Sequence, residues 1–345
     1  MESSFFTNKY TNIAKGVAVF LLLFHHLGLN PELNIFAKSQ FFTNIALQCK
    51  VCVSIFVMLS GYGLNSSINR KDKIDLISLI KFSYHHLIKM MVSYWTIFIL
   101  FISFGCISGR RTLEVYGGSL YKNISIDFLG LSNYFTTPTY NATWWFMSLI
   151  IILYLVFPIF KTILKRSPIA LILLSCIIRW FPVPHSYAEF NQYALIFCLG
   201  MVFSEFKLFD RIRNLNKFKQ DEIILSVVFL IVGVMTRFKF ESIFDLLAMI
   251  SIILASNNIL SKIPKLNNIL ELLGRHSANI FMMHTFIYKY FFSDFFRGLK
   301  YPILMYLVLV LSSLSVSLLL EMGKKYIKIM YENLNNKTNN IKAVQ

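Results

Sequence analysis

Apolar positions in this chain fall in long unbroken runs, with neither the alternation of a half-buried strand nor the one-sided stripe of a soluble helix. A run of about 20 residues crosses a bilayer core as a helix. Ten segments fit: Asn12 to Leu29, Phe42 to Leu64, Leu87 to Ile107, Trp144 to Leu164, Pro168 to Trp180, Phe190 to Phe206, Glu222 to Thr236, Ser242 to Ile259, His276 to Phe292 and Tyr301 to Met322. Nothing of comparable length remains for a soluble domain. The pattern predicts an all-α polytopic bundle of about ten spans over residues 1–322 and a polar, disordered, cytoplasmic tail over residues 323–345. The first segment lacks a small-residue cleavage site and carries Lys15 and two histidines, so it is expected to stay as a span.

Composition agrees: 56% of the 345 residues are hydrophobic, 15% are charged, and the mean hydropathy is +0.59. The net charge of +17 raises nucleic acid as a partner, but its placement argues otherwise. An even number of spans puts both termini on one side, and most Lys and Arg then fall on that side, the richest loop holding Lys207, Arg211, Arg213, Lys217 and Lys219. That is the positive-inside pattern of a multi-pass cell-membrane protein with cytoplasmic termini. No nucleic acid is expected.

Cys49 and Cys52 form a C-x-x-C with no second pair or histidine cluster near it in sequence, so inert buried thiols and no metal are expected. The longest external loop, Ser108 to Thr143, carries Tyr116, Tyr121, Tyr134, Phe135 and Tyr140 and leads into Trp144 and Trp145. Such aromatics form an interfacial belt or stack on sugar rings. The triplets at Asn123 and Asn141 match the glycosylation acceptor pattern.

Ionisable groups inside a span are costly and point to function. Lys15 and His26 are 11 positions apart, which places them on one helix face about 16 Å apart along the axis. Lys15 is then expected near the cytoplasmic rim, suited to a phosphate, and His26 deeper, suited to taking a proton from a hydroxyl. Lys81, His85, His86 and Lys89 gather at the entrance of the third span, where His86 and Lys89 share a face. They either grip phosphate or anchor the helix at the interface. Acidic residues are nearly all outside the spans, Asp245 being the clearest one inside, and no paired carboxylates stand as a proton relay.

These residues resemble the integral-membrane acyltransferase-3 family. KGVAVFLLLFHH is similar to its opening basic residue and histidine, with Lys15 where the family has arginine, and VSIFVMLSGYGL to its Ser-Gly-aromatic segment at Ser60, Gly61 and Tyr62. HLIKMMVSYW stands where the family has an arginine pair, here His86 and Lys89, before the aromatic pair Tyr94 and Trp95. NATWWFMSLIIILYLVFP, LIFCLGMVFSEF and LLGRHSANIFMMHTF are similar to three later elements, with Trp144, Trp145, Ser277, Phe281 and His284 at matching places. The resemblance implies an enzyme that takes acetyl-CoA, with no metal, and acylates a hydroxyl of a surface polysaccharide or lipid-linked saccharide at the membrane lipid interface. It implies His26 as general base, Lys15, Ser60, Gly61, His86 and Lys89 along the acyl-CoA, and Trp144, Trp145, Ser277 and His284 toward the acceptor. A carrier or flippase for a lipid-linked sugar, or an inactive scaffold, are the readings left beside it.

Overall fold

The computed structural model describes residues 7–33, 35–36, 39–70, 75–215, 219–240 and 245–344. Among them there is helix and no strand, as the apolar runs predict. In chain order the α-helices are α1 (Asn8–Gly28), α2 (Gln40–Gln48), α3 (Val51–Ile68), α4 (Leu76–Ile107), α5 (Leu120–Phe128), α6 (Trp145–Arg166), α7 (Pro168–Trp180), α8 (Ala188–Glu205), α9 (Leu208–Leu215), α10 (Lys219–Phe240), α11 (Asp245–Asn258), α12 (Leu266–Arg275), α13 (Ser277–Thr285), α14 (Ser293–Gly298) and α15 (Pro302–Val344). Each of the ten marked segments coincides with a helix among the described residues, α2 and α3 together forming the second; residues 242–244, the start of the eighth, lie outside the described residues. Six of the helical stretches are long and apolar enough to cross a membrane, and two more are shorter and apolar.

Several boundaries move. α4 starts at Leu76, eleven residues before the expected entrance, because Asp75 accepts a hydrogen bond from the Ser78 N–H at 3.1 Å and no helix breaker follows. Tail residues expected to be disordered continue α15 to Val344, a stretch without proline to break the helix. Lys217, counted with the basic loop, lies outside the described residues.

In a membrane, where burying apolar surface drives no association, helices pack where small residues let backbones meet. A Cβ on Gly61 would stand 2.2 Å from the Phe197 carbonyl oxygen, and one on Gly200 2.2 Å from that of Met58. These reciprocal contacts show α3 and α8 crossing antiparallel with their backbones touching. Gly16 and Gly274 do the same for α1 and α12, against the carbonyl oxygens of Leu270 and Asn12. The loop 108–143 folds as a cap. Asp127 is its buried hub, accepting hydrogen bonds from the Tyr116, Ser132 and Thr139 hydroxyls and the Tyr140 N–H, all at 2.8 Å. Burial pushes the Asp127 carboxyl up from its ordinary value, and these four donors pull it back. Tyr94 and Trp95 of α4 tie the cap down by donating to the carbonyl oxygens of Asp127 and Phe128.

Candidate functional site

A cluster of three histidines near the cap end of the bundle is built on α1 and α13. His26 lies two residues before the end of α1, and Lys15 seven residues after its start, so along this helix His26 is nearer an end than Lys15. α1 begins four residues before the predicted span. The His26 ring centroid lies 4.9 Å from that of His284, and 5.0 Å from that of His25 at a near-perpendicular 73°. His25 is tied elsewhere, donating from Nδ1 to the Ala46 carbonyl at 2.7 Å.

His284 is fully buried. Its Nδ1 meets only carbonyl oxygens, those of Ile280 at 2.9 Å and Phe281 at 3.0 Å, so Nδ1 carries the proton and Nε2 holds a lone pair. That Nε2 is buried with no hydrogen-bond partner among the described residues. An unsatisfied acceptor in the interior is costly, and here it belongs to the ring beside His26.

α13 is held in register from the cap. Asn141 Nδ2 and Trp144 Nε1 both donate to the Met282 carbonyl, at 3.0 and 2.9 Å, while Asn141 Oδ1 accepts from Thr285 Oγ1 at 2.7 Å and from Thr143. Immediately beyond, Phe286–Phe291 widens into a π-helix, a distortion that recurs at functional sites. Tyr288, within it, donates to the His26 carbonyl at 3.1 Å. Asn141 thus sets the position of His284 without touching it. Asn141→Ala is expected to destabilise the protein by about 2 kcal/mol, by stranding buried donors and an acceptor. It should also lower turnover per folded molecule roughly tenfold, since a small misplacement of a reacting group is expensive. Thermal unfolding and activity on the same monodisperse fraction check both.

The other predicted residues are spread out. Gly61 stands at the α3–α8 backbone contact, and Ser60 Oγ donates to the Phe56 carbonyl of its own helix at 2.9 Å. Ser277 lies two helical turns from His284, at the start of α13. His86 donates from Nδ1 to the Phe82 carbonyl at 2.9 Å, and Lys89 is exposed. Both sit well within α4, and no hydrogen bond or ion pair among the described residues joins either to Lys15 or His26. Trp144 is 3% exposed, packed on Tyr94, Phe98 and Phe286, and Trp145 stacks on Tyr193. Tyr116 and Tyr140 have no exposed surface and Tyr134 is half-buried, so of the cap's aromatics Tyr121 and Phe135 are the most open to a sugar. Asn123 and Asn141 are buried and hydrogen-bonded, not accessible acceptors for glycosylation. All five cysteines are free, and no group of three metal-ligating side chains gathers among the described residues.

Sequence reasoning picked out His26 and His284 separately; their pairing needed the fold. It missed Asn141 as an anchor, although the N-A-T triplet ahead of two tryptophans marks a capped helix start. A family model described as an acyltransferase domain matches residues 8–322. No curated protein and no solved structure matches the chain.

Proposed function

The chain belongs to this acyltransferase family, and on that premise we propose that it moves an acetyl group from acetyl-CoA to a hydroxyl of a surface polysaccharide or lipid-linked saccharide. The observation that carries this reading is the juxtaposition of His26 with the fixed, lone-pair-bearing His284 in the interior of the bundle.

In the proposed reaction His26 takes the proton of the acceptor hydroxyl as its oxygen attacks the thioester carbonyl carbon. A tetrahedral oxyanion forms on the former carbonyl oxygen. Collapse breaks the carbon–sulfur bond, and the leaving thiolate takes the proton back from the His26 imidazolium, giving an ester and free coenzyme A. His284, with its proton held on Nδ1, orients His26 or the incoming hydroxyl through Nε2. Lys15 shares the His26 face of α1 about 16 Å away and lies along the path of the donor. The distribution of Lys and Arg supports a cell-membrane protein with cytosolic termini, the side on which acetyl-CoA is found.

The test is transfer of label. Membranes containing the protein, given acetyl-labelled coenzyme A, are expected to place label in a polysaccharide or glycolipid fraction that releases it as acetate under mild alkali. Label that stays in coenzyme A, with the protein folded, overturns the reading.

A further inference from the structure

An acyl group reacting at the histidine pair has to fit among the side chains around it. The acceptor oxygen comes within about 3 Å of the His26 nitrogen that takes its proton, and the thioester carbonyl carbon within about 3.5 Å of that oxygen. The tail of the acyl group therefore rests on the first layer of side chains around His26 and His284.

On one side that layer is aromatic. Phe281 precedes His284 by three residues on α13, and its ring meets the imidazole edge to face, with centroids 6.3 Å apart. Two more rings back it. Phe146 of α6 lies 4.2 Å from Phe281 and Phe56 of α3 lies 5.7 Å from it, and these two are 6.5 Å from each other. Phe56 and Phe281 are buried and Phe146 is half-buried. Three helices thus each supply one phenylalanine to a triangle of rings beside the histidines.

The triangle stands on the side from which the donor arrives in the proposed reaction. α12 leads into α13, and Gly274, near the end of α12, lies against Asn12, near the start of α1. With His284 against His26 near the other end of α1, α13 runs alongside α1 in the same direction. Phe281 is therefore displaced from His284 toward the start of α1, as Lys15 is from His26. Phenyl rings offer no hydrogen bond, and a close-packed interior resists even one added methylene.

We propose that Phe56, Phe146 and Phe281 select the acyl group, holding the space beside the reacting carbonyl to a methyl and turning away longer or charged tails. This selection rests on the acyl-transfer reading and adds to it which thioester is used. A tail longer by one methylene is driven into packed rings, and a terminal carboxylate is buried against phenyl faces without a donor.

Membranes containing the full chain receive acetyl-, propionyl-, butyryl- and succinyl-CoA together, at equal concentration and with isotope-labelled acyl groups. Labelled acids released by mild alkali from the polysaccharide and glycolipid fraction are compared by mass spectrometry, with membranes lacking the protein as background. Their ratio cancels differences in the amount of folded protein, so a substitution that only loosens packing lowers all products alike. The native protein is expected to favour acetyl over propionyl by about tenfold or more and to transfer no succinyl. Phe281→Ala and Phe146→Ala should each cut that preference about tenfold and admit butyryl, and Phe281→Leu should cut it less. Phe157→Leu, on α6 against Phe82 and Phe197, should leave the ratio as it is. Where an alanine variant fails to accumulate, Phe281→Leu decides. A ratio unchanged by the Phe281 and Phe146 substitutions overturns the selection and leaves acyl transfer standing, as does a native protein that uses butyryl or succinyl as readily as acetyl. A native protein that transfers none of the four removes the underlying reading as well.

Discussion

Replacing His26 by alanine is expected to reduce acyl transfer by about a hundredfold to ten-thousandfold, the range supplied by a positioned general base, while leaving the protein inserted and folded. The second half of this expectation follows from what His26 holds. Its ring makes no hydrogen bond to a described residue, and its bond to Tyr288 runs through the backbone carbonyl, which alanine keeps. His284→Ala is expected to lower turnover as well, and the double variant to be little worse than His26→Ala, because groups acting as one unit are not additive. His284→Gln is the sharper probe. Glutamine can present a polar atom in the same space without an imidazole, so an orienting role predicts partial activity and a proton-carrying role predicts almost none. Initial rates at saturating donor, normalised to folded protein, decide. A His26→Ala protein within tenfold of the native rate would refute the base assignment.

What could be read from the sequence, and what could not, follows from the range of the forces involved. Apolar runs are a local signal, and in a bilayer they are nearly sufficient to place helices, because backbone groups must be satisfied within the segment. Ends are harder. The starts of α1 and α4 lie in polar stretches where hydropathy falls, while the Asp75 cap and the absence of breakers let α4 begin early. His26 was legible as a costly polar residue, but its distance from His284 depends on how α1 and α13 pack, which no spacing encodes. Charge was the most ambiguous signal. Arg237 fell just beyond the predicted end of its span, although its partner Asp245 stood out as a carboxylate inside one.

That partnership underlies the largest expected effect on stability. Arg237 Nε donates to Asp245 Oδ1 at 2.7 Å, with the two side chains 7% and 4% exposed. Ser54 Oγ donates to Oδ2 at 2.7 Å, and Gln48 Oε1 accepts from Arg237 Nη1. Both carboxylate oxygens are thus engaged by α3 and α10 partners, so Asp245 is occupied in joining helices and is not free to relay protons as a carrier would require. Removing one member strands the other charge in the interior. Arg237→Met and Asp245→Asn are each expected to cost about 3–5 kcal/mol. The double variant Arg237→Met/Asp245→Leu should recover most of that loss, because an apolar pair has no desolvation penalty to overcome. It should also retain acyl transfer, since neither residue makes a hydrogen bond or ion pair to His26 or His284. Chemical denaturation in detergent gives the stabilities, and label transfer gives the activity. A double variant as unstable as the singles means that Ser54 and Gln48 depend on the charges for their own placement. A stable double variant without turnover means instead that the pair takes part in the reaction, and the division between structural ion pair and histidine chemistry fails.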